Sequence, residues 1–221
     1  MPNLILYRVN GSCAFVAHAI LLHFGIPFST VEMKFGPDGV ESVDGTISHA
    51  EYLRVHHKGY VPALDVDGEV ITELPAILNY LSSVAPERRL FSDDGLGRAR
   101  VSEWLNWLSG SLHALGFGMV LRPARFSDDP AVLDLIQAKG KAFVRECFAR
   151  IDGKAKDTHF LVGDDLTAAD FYVYIFSRWA EAAGIDLKAE YANYYRFVRQ
   201  MESVEGVKKA IEAEGLDFKY L

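Results

Sequence analysis

The sequence predicts an α/β domain followed by an all-α domain, and three features of its 221 residues support that division. Residues 1–85 alternate segments that are typical of strands and of helices, as in a compact α/β unit. Residues 86–95 are mostly polar and include Pro and Gly, which predicts a linker. Residues 96–221 carry apolar residues at three- and four-residue intervals, so we expect a helical bundle there.

The first domain is predicted to follow the order strand, helix, strand, mixed segment, strand, strand, helix. Asp67-Gly68 tolerates the backbone angles of a tight hairpin between two of these strands. Pro75 suits the first turn of a helix, where its missing N–H costs nothing. In chain order the elements are LILYRV, a helix that stops at Gly25, FSTVEM, a segment around 49–56, the two strands of YVPALDVDGEVITEL, and PAILNYLSSV.

The charge of the chain argues against nucleic acid and anionic membranes as partners. Its formal net charge is −7, and no run of Lys or Arg forms a basic block. The opening residues MPNLILYRVN lack the features of a signal peptide, and no apolar run reaches the roughly 20 residues that span a bilayer. We therefore expect a cytoplasmic protein.

The chain has two cysteines, which predicts neither a disulfide framework nor a structural metal site. Cys147 lies in register with Phe143 and Ile151 on a helical pattern, so we expect its side chain in the core.

Cys13 follows Ser12, which is a good N-cap residue, and would therefore occupy the first turn of a helix. The helix dipole there stabilises a thiolate and lowers the pKa of a thiol from about 8.5 toward neutrality. The alternative is that Cys13 packs as a small buried residue. Position and spacing alone leave both interpretations open.

Two motifs of the first domain present backbone groups that suit a bound peptide. In GYVPAL, a cis bond before Pro62 would turn the N–H and C=O of Val61 outward to pair with an extended chain, although trans is the ordinary form. In ITELPAILNYL, the N–H groups of Glu73 and Leu74 start a helix and suit a carboxylate, and the Glu73 side chain suits an amine. A plain helix start is the open alternative for the second motif.

Two features stand out in the helical half. In DLTAADF, Thr167 precedes Asp170 by three residues, a variant capping box that we interpret as a folding determinant. In GSLHALGF, His113 lies on a helix that also carries Trp104 and Trp107. The helical pattern alone favours a packing role for this histidine.

Taken together, these motifs resemble those of the cytosolic glutathione transferases over essentially the whole chain. GYVPAL is similar to the cis-proline motif of that family, TELPAILNYL to its glutathione-binding turn, and LTAADF to the capping box of its buried sixth helix. The resemblance implies a thioredoxin-like first domain, a short linker and a helical second domain.

The resemblance is strongest to the beta class and its cysteine-bearing relatives. There a Cys precedes a His by five positions, as Cys13 precedes His18, and the fourth helix is similar to EWLNWLSGSLH. The resemblance implies an active site formed by three residues, namely Cys13, Ser12 and His113. It also implies glutathione binding by five residues, namely Lys58, Val61, a cis Pro62, Glu73 and Leu74.

The chain departs from the family pattern at several positions. Leu74 stands where most members have Ser or Thr, which removes a hydrogen bond to glutathione worth about 1.5–3 kcal/mol. His56-His57 replaces the usual Asn-Pro, the preceding loop GPDGVESVDGTIS is longer than usual, and Ala114 replaces a basic residue.

We expect an enzyme of detoxification that presents the thiolate of glutathione, its co-substrate, to an electrophilic, apolar small molecule. The predicted substrate pocket lies on the fourth helix and is lined by Trp104, Trp107, Phe117 and Met119. Two alternatives stay open, a cysteine-dependent reductase of glutathione mixed disulfides and a non-catalytic ligand-binding protein. The resemblance further implies a homodimer, and we expect no metal cofactor.

Overall fold

The computed structural model describes residues 2–221, which divide into two compact units. The first unit contains residues 2–90 and 202–219, and the second contains residues 91–201 and 220–221. The segment near the C-terminus thus belongs to the first unit, whereas the sequence analysis placed it in the second. The helical pattern of that segment identified a helix but carried no information about which partner its apolar face packs against.

The first unit contains the predicted α/β elements. The sheet and its helices comprise β1 (Leu4–Val9), α1 (Phe15–Phe24), β2 (Ser29–Phe35), β3 (Val40–Ser42), α2 (His49–Val55), β4 (Ala63–Val66), β5 (Glu69–Thr72) and α3 (Leu74–Val84). The mixed segment of the sequence is α2, which begins with a capping box between Ser48 and Glu51. Strand β3 was not predicted, because it is three residues long and lies within a polar loop.

The five strands form one mixed sheet in the order β3-β2-β1-β4-β5. Strands β1 and β2 are parallel and connected through α1, whereas the remaining neighbours are antiparallel. Side chains along a strand point alternately to opposite faces of the sheet, so successive residues of β1 pack into two different core layers. Leu4 and Leu6 are fully buried, and Tyr7 packs with Met33 and Tyr52 in a separate cluster. The sheet confirms the predicted α/β first domain.

The regular elements of the second unit within residues 91–201 are all helices. It comprises α4 (Gly95–Trp107), a π-helical stretch (Leu108–Phe117), α5 (Gly118–Leu121), α6 (Leu133–Ala155), α7 (Ala168–Arg178), α8 (Leu187–Glu190) and α9 (Ala192–Ser203). This confirms the predicted all-α second domain. In the part of the chain that the structure describes, no helix combines the length and apolarity that a membrane crossing requires.

The π-helical stretch interrupts what the sequence analysis took as one regular helix. The N–H of Gly118 donates to the carbonyl of His113 five residues earlier, which is the π-helical spacing. Apolar periodicity does not separate the two helix types over ten residues. Such stretches are frequent at functional sites, and this one contains His113.

The last helix, α10 (Glu205–Ala213), packs directly on α1. The two helices approach so closely at Gly206 that an added Cβ would lie 2.3 Å from the carbonyl oxygen of Ala19. Val207 and Ile211 bury the same face of α10. This close packing fixes the end of α10 beside the loop that follows β1.

The predicted capping box of α7 is present. Asp170 is fully buried, and its carboxylate accepts hydrogen bonds from the N–H of Leu161 and from both the N–H and the hydroxyl of Thr167, each at 2.8 Å. One side chain therefore holds the start of α7 and the loop before it.

We predict that Asp170→Ala lowers the free energy of unfolding by about 3 kcal/mol, because three buried donors lose their acceptor. Urea unfolding measures this loss. Glu51→Ala at the exposed capping box of α2 is the matched control, and a much smaller loss is expected because water replaces the missing acceptor. Equal losses in the two variants would contradict the role assigned to Asp170.

Candidate functional site

Three loops meet at one end of the sheet in the first unit. Tyr7 of β1 lies opposite Ala63 of β4, which in turn lies opposite Thr72 of β5. Strands β1 and β5 end at this end of the sheet, and β4 starts there. The loop before α1, the turn before β4 and the start of α3 are therefore neighbours.

The loop before α1 differs from the predicted helix start. Helix α1 begins at Phe15 with Ala14 as its N-cap, so the expectation that Ser12 caps the helix and Cys13 lies in its first turn is wrong by two residues. The reason is local, because the Ser12 hydroxyl donates to the carbonyl of Val9 at 2.7 Å and accepts from the N–H of Ala14 at 3.2 Å. Ser12 closes a tight turn, and Cys13 lies in that turn.

Cys13 contacts the motif that precedes β4. Its side chain is 7% exposed, and Sγ donates to the carbonyl oxygen of Val61 at 3.3 Å. The Val61–Pro62 bond is cis, which the residues alone left open and the family resemblance implied. In the described residues, no group accepts a hydrogen bond from the N–H of Val61. The thiol and a peptide-presenting backbone segment therefore share one site.

Lys58 and Glu73 form an ion pair beside this segment. Lys58 Nζ lies 2.6 Å from Glu73 Oε1, and both side chains are about half exposed, 47% and 54% respectively. The hydrogen bond from Lys58 lowers the pKa of the Glu73 carboxyl below its usual value. The backbone of Glu73 has φ +68°, which turns the chain directly into α3. The pair offers one charge of each sign to a ligand.

Leu74 is the first residue of α3 and is buried. Within residues 2–221 its N–H donates to no acceptor, as expected in the first turn of a helix. Pro75 follows in the first turn, as predicted. The start of α3 is therefore able to receive an anion through its backbone.

Glu214 belongs to the site region, although the sequence analysis did not select it. Its Oε2 accepts a hydrogen bond from the N–H of Gly11 at 2.7 Å, and its Oε1 lies 2.8 Å from His18 Nδ1. Both side chains of the pair are buried. Glu214 thus connects the turn that carries Cys13 to His18 of α1 through two hydrogen bonds. No sequence signal links residues about 200 positions apart.

His113 is held within the second unit. Its Nδ1 lies 3.3 Å from the hydroxyl of Tyr172, and its ring contacts the rings of Trp179 and Phe176 at centroid distances of 5.3 and 5.8 Å. The ring is half-buried rather than enclosed. The structure therefore gives His113 a fixed orientation and leaves part of the imidazole accessible within its unit.

The predicted pocket residues differ in their surroundings. Trp104 and Trp107 meet edge to face at 5.4 Å, and the guanidinium of Arg150 lies 4.3 Å from the Trp107 ring centre. Met119 is half-buried. Phe117 is 1% exposed and stacks on a core ring, so its side chain supports the helical core.

Cys147 lies in the core of the second unit, as predicted. Its side chain is 4% exposed, and burial raises the pKa of its thiol to about 11. Among residues 2–221, the acidic, histidine and cysteine side chains form no group of three or more with the arrangement of a metal site.

Both parts of the chain match family models. Residues 11–84 match the model described as "Glutathione S-transferase, N-terminal domain", and residues 135–205 match "Glutathione S-transferase, C-terminal domain". The glutathione S-transferase GstA of Escherichia coli O157:H7 is 30% identical over 213 residues, which cover 96% of this chain and 98% of that protein. The chain belongs to the cytosolic glutathione S-transferase superfamily.

Solved structures of glutathione S-transferases share the fold over the full chain. A bacterial beta class glutathione S-transferase from Sphingomonas chungbukensis is 28% identical, with a TM-score of 0.82 over 96% of this chain and 100% of that one. A sphingomonad glutathione S-transferase complexed with glutathione is also 28% identical, with a TM-score of 0.83 and the same coverage. These similarities confirm the beta-like class that the motifs predicted.

We predict that Glu214→Ala destabilises the first unit of this glutathione S-transferase by about 2–4 kcal/mol, because the change removes the hydrogen-bond partner of buried His18 and the acceptor of the Gly11 N–H. Hydrogen exchange should also accelerate in the turn around Cys13. Urea unfolding and exchange mass spectrometry measure the two effects. Glu212→Ala is the control, because Glu212 is exposed and lies in the last turn of α10, two residues before Glu214. Identical behaviour of both variants would contradict the role assigned to Glu214.

Proposed function

We propose that this glutathione S-transferase binds glutathione at the loop cluster of the first unit and conjugates it, through its sulfur, to an electrophilic, apolar small molecule. The observation that carries the proposal is the 3.3 Å contact between Cys13 Sγ and the carbonyl oxygen of Val61. It brings a thiol against the backbone segment that is best suited to pair with a short peptide. The glutathione complex of the similar sphingomonad enzyme supports the choice of peptide.

Glutathione pairs in this proposal with the backbone of Val61 through its cysteinyl residue. The N–H of Val61 is available as a donor, and its carbonyl becomes an acceptor when the Cys13 thiol turns toward the ligand. Pairing of this kind resembles the addition of one more strand and does not depend on side chains. It places the sulfur of glutathione on the same side as Cys13.

The charged ends of glutathione match the charges around the start of α3. The Glu73 carboxylate suits the amino group of the γ-glutamyl residue, and the N–H of Leu74 suits its carboxylate. Lys58, which pairs with Glu73 in the structure, suits the carboxylate of the glycyl residue. Binding of glutathione thus breaks the ion pair between Lys58 and Glu73, and each of the two side chains pairs instead with a group of opposite charge on the ligand.

Deprotonation of glutathione is the chemical task of the site, because a thiol of pKa about 8.5 is mostly protonated at neutral pH. In the proposal the Cys13 S–H donates to the thiolate sulfur and stabilises it. The family resemblance implies a further N–H from the His113 imidazole, and the contact with Tyr172 fixes which way that ring faces. Ser12 acts indirectly, because its hydroxyl already holds the turn.

The electrophile is proposed to bind against Trp107 of α4 and Met119 of α5, which are both partly exposed. An indole ring and a thioether provide a polarisable surface that suits an apolar or aromatic substrate. Trp104 is 8% exposed and meets Trp107 edge to face, so it supports this surface from below. Phe117 is not retained as a pocket residue, because its ring is enclosed in the core.

We further propose that the enzyme is a cytoplasmic homodimer, as the family resemblance implies.

A second activity is proposed for the same thiol. A Cys13 thiolate attacks the glutathionyl sulfur of a mixed disulfide, which releases the other thiolate and leaves glutathione bound to Cys13 through a disulfide. The thiolate of a free glutathione then attacks the glutathionyl sulfur of this disulfide, which releases oxidised glutathione and restores the Cys13 thiolate. The position of Cys13 in a turn at the peptide-binding edge favours this alternative over an inert thiol. A non-catalytic role is favoured only by Leu74, which offers glutathione no hydroxyl.

We predict that Cys13→Ala lowers kcat/KM for conjugation of 1-chloro-2,4-dinitrobenzene by about tenfold, because one hydrogen bond to a charged sulfur is lost. Cys13→Ser keeps a donor and should retain most of that activity, and Cys147→Ala is the control for cysteine loss in general. Unchanged conjugation in both Cys13 variants would make Cys13 a spectator of that reaction. If these variants lose only disulfide reduction, the second activity is the principal one.

We predict that Leu74→Ser binds glutathione about tenfold more tightly than the native chain, because the new hydroxyl reaches the γ-glutamyl carboxylate. Leu74→Ala is the matched control, since it creates the same space without a hydroxyl. Isothermal titration measures all three affinities. Failure of the native chain to bind glutathione at millimolar concentration would remove both enzymatic functions.

A further inference from the structure

The turn between α2 and the cis-proline segment is built around the ring of His56. The N–H of Gly59 donates to the carbonyl of His56 at 2.7 Å, and the N–H of Lys58 donates to His56 Nδ1 at 3.2 Å. His56 therefore provides two acceptors to its own turn, one from the backbone and one from the ring. The ring acceptor fixes the backbone of Lys58, whose Nζ reaches Glu73.

The ring of His56 is itself fixed by its surroundings. The residue is 3% exposed, stacks on His57 at 5.5 Å and contacts the rings of Tyr60 at 6.0 Å and Tyr52 at 6.5 Å. The Tyr52 hydroxyl donates to the carbonyl of Tyr60 and closes the far side of the turn. The imidazole has little freedom to find another partner.

Acceptance of a hydrogen bond at Nδ1 requires one particular form of the ring. A neutral imidazole with its proton on Nε2 accepts at Nδ1, whereas an imidazolium carries a proton on both nitrogens and only donates. Protonation therefore converts the contact with the Lys58 N–H from a hydrogen bond into a clash of two donors. Among ordinary side chains only histidine makes this change near neutral pH.

We propose that His56 is a positioning residue that holds Lys58 ready for glutathione only while its ring is neutral, so that acidification weakens glutathione binding. This inference rests on the proposed function, in which Lys58 receives a carboxylate of glutathione. It adds a dependence of glutathione binding on the protonation of His56, which follows neither from the fold nor from the activity of the family.

The electrostatics around the ring agree with this assignment. Burial lowers the pKa of His56 below its usual 6.5, His57 and Lys58 lower it further, and Glu73 opposes them. Tyr52 and Tyr60 also contact the ring, and burial raises the pKa of the Tyr52 hydroxyl well above its usual value. The neutral ring is thus favoured in the folded state. The neutral ring makes its full contribution to folding stability above pH 6.5. That contribution is lost as the pH falls through the lowered pKa of His56 in the folded protein.

Asparagine provides the matched test of this idea. Its side-chain oxygen accepts a hydrogen bond from the N–H two residues later, as in an Asx turn, and does not titrate. His56→Asn therefore keeps the acceptor and removes the proton. His57→Asn removes the neighbouring titratable ring and leaves the acceptor of Lys58 intact.

The affinity for S-methylglutathione tests the proposal without a titrating thiol in the ligand. It is measured by isothermal titration from about pH 8 down to the pH at which the ¹⁵N shifts of the ring show that His56 is protonated. We expect the native affinity to fall about 3- to 10-fold across this range, which corresponds to the loss of one hydrogen bond. His57→Asn should show a fall of the same size with its midpoint at a higher pH, because His57 no longer lowers the pKa of His56. His56→Asn should bind at pH 8 within about twofold of the native chain and vary little with pH. A parallel fall in His56→Asn overturns the proposal.

A ligand-free measurement separates this inference from the proposed function. The ¹⁵N shifts of the His56 ring should report the Nε2–H form near pH 8. The protection factor of the Lys58 amide, which corrects for the slower intrinsic exchange at lower pH, should fall as the ring becomes protonated. A ring that is charged near pH 8, or a Lys58 amide indifferent to its protonation, overturns the inference even if glutathione binds. Absence of S-methylglutathione binding at every pH overturns the proposed function instead, and with it this inference.

Discussion

The alignment of Tyr7, Ala63 and Thr72 across three strands is the constraint on which the site depends. Because β1 and β5 end where β4 begins, three loops that are far apart in sequence meet at one end of the sheet. Each loop brings a different kind of group, namely a thiol, an exposed backbone segment and a helix start. A shift of one residue in this register would turn every side chain to the opposite face of the sheet and separate the loops.

Polar side chains fix the loops at this end of the sheet, and two of them, Glu214 and His56, are buried. Ser12 closes the turn that carries Cys13, Glu214 connects that turn to His18 of α1, and His56 accepts a hydrogen bond from the N–H of Lys58. Apart from the contact between Glu214 and His18, each of these bonds joins a side chain to the backbone, so each sets the path of a loop rather than its chemistry. Removal of such a partner leaves a buried polar group unmatched, which makes these positions costly to change.

Local patterns in the sequence predicted most of this structure, and the remainder depended on distant contacts. Strand and helix periodicity located the α/β half and the helical half, and the family motifs pointed to Cys13, Val61 and Glu73. The tie through Glu214 was missed because no local pattern reports a partner about 200 residues away. The role proposed for His56 could not be predicted for a different reason. The sequence shows that His56-His57 replaces the usual Asn-Pro, but the tautomer of His56 follows only from the hydrogen bond that Lys58 donates in the folded turn.

The central claim is that Cys13 and the backbone of Val61 together receive the cysteinyl part of glutathione. A crystal structure of the protein with bound glutathione tests it most directly. The account predicts paired hydrogen bonds between glutathione and Val61, with the glutathione sulfur within about 4 Å of Cys13 Sγ, either as a hydrogen-bonded thiolate or as a disulfide. Glutathione bound elsewhere, or with its sulfur turned away from Cys13, would contradict it.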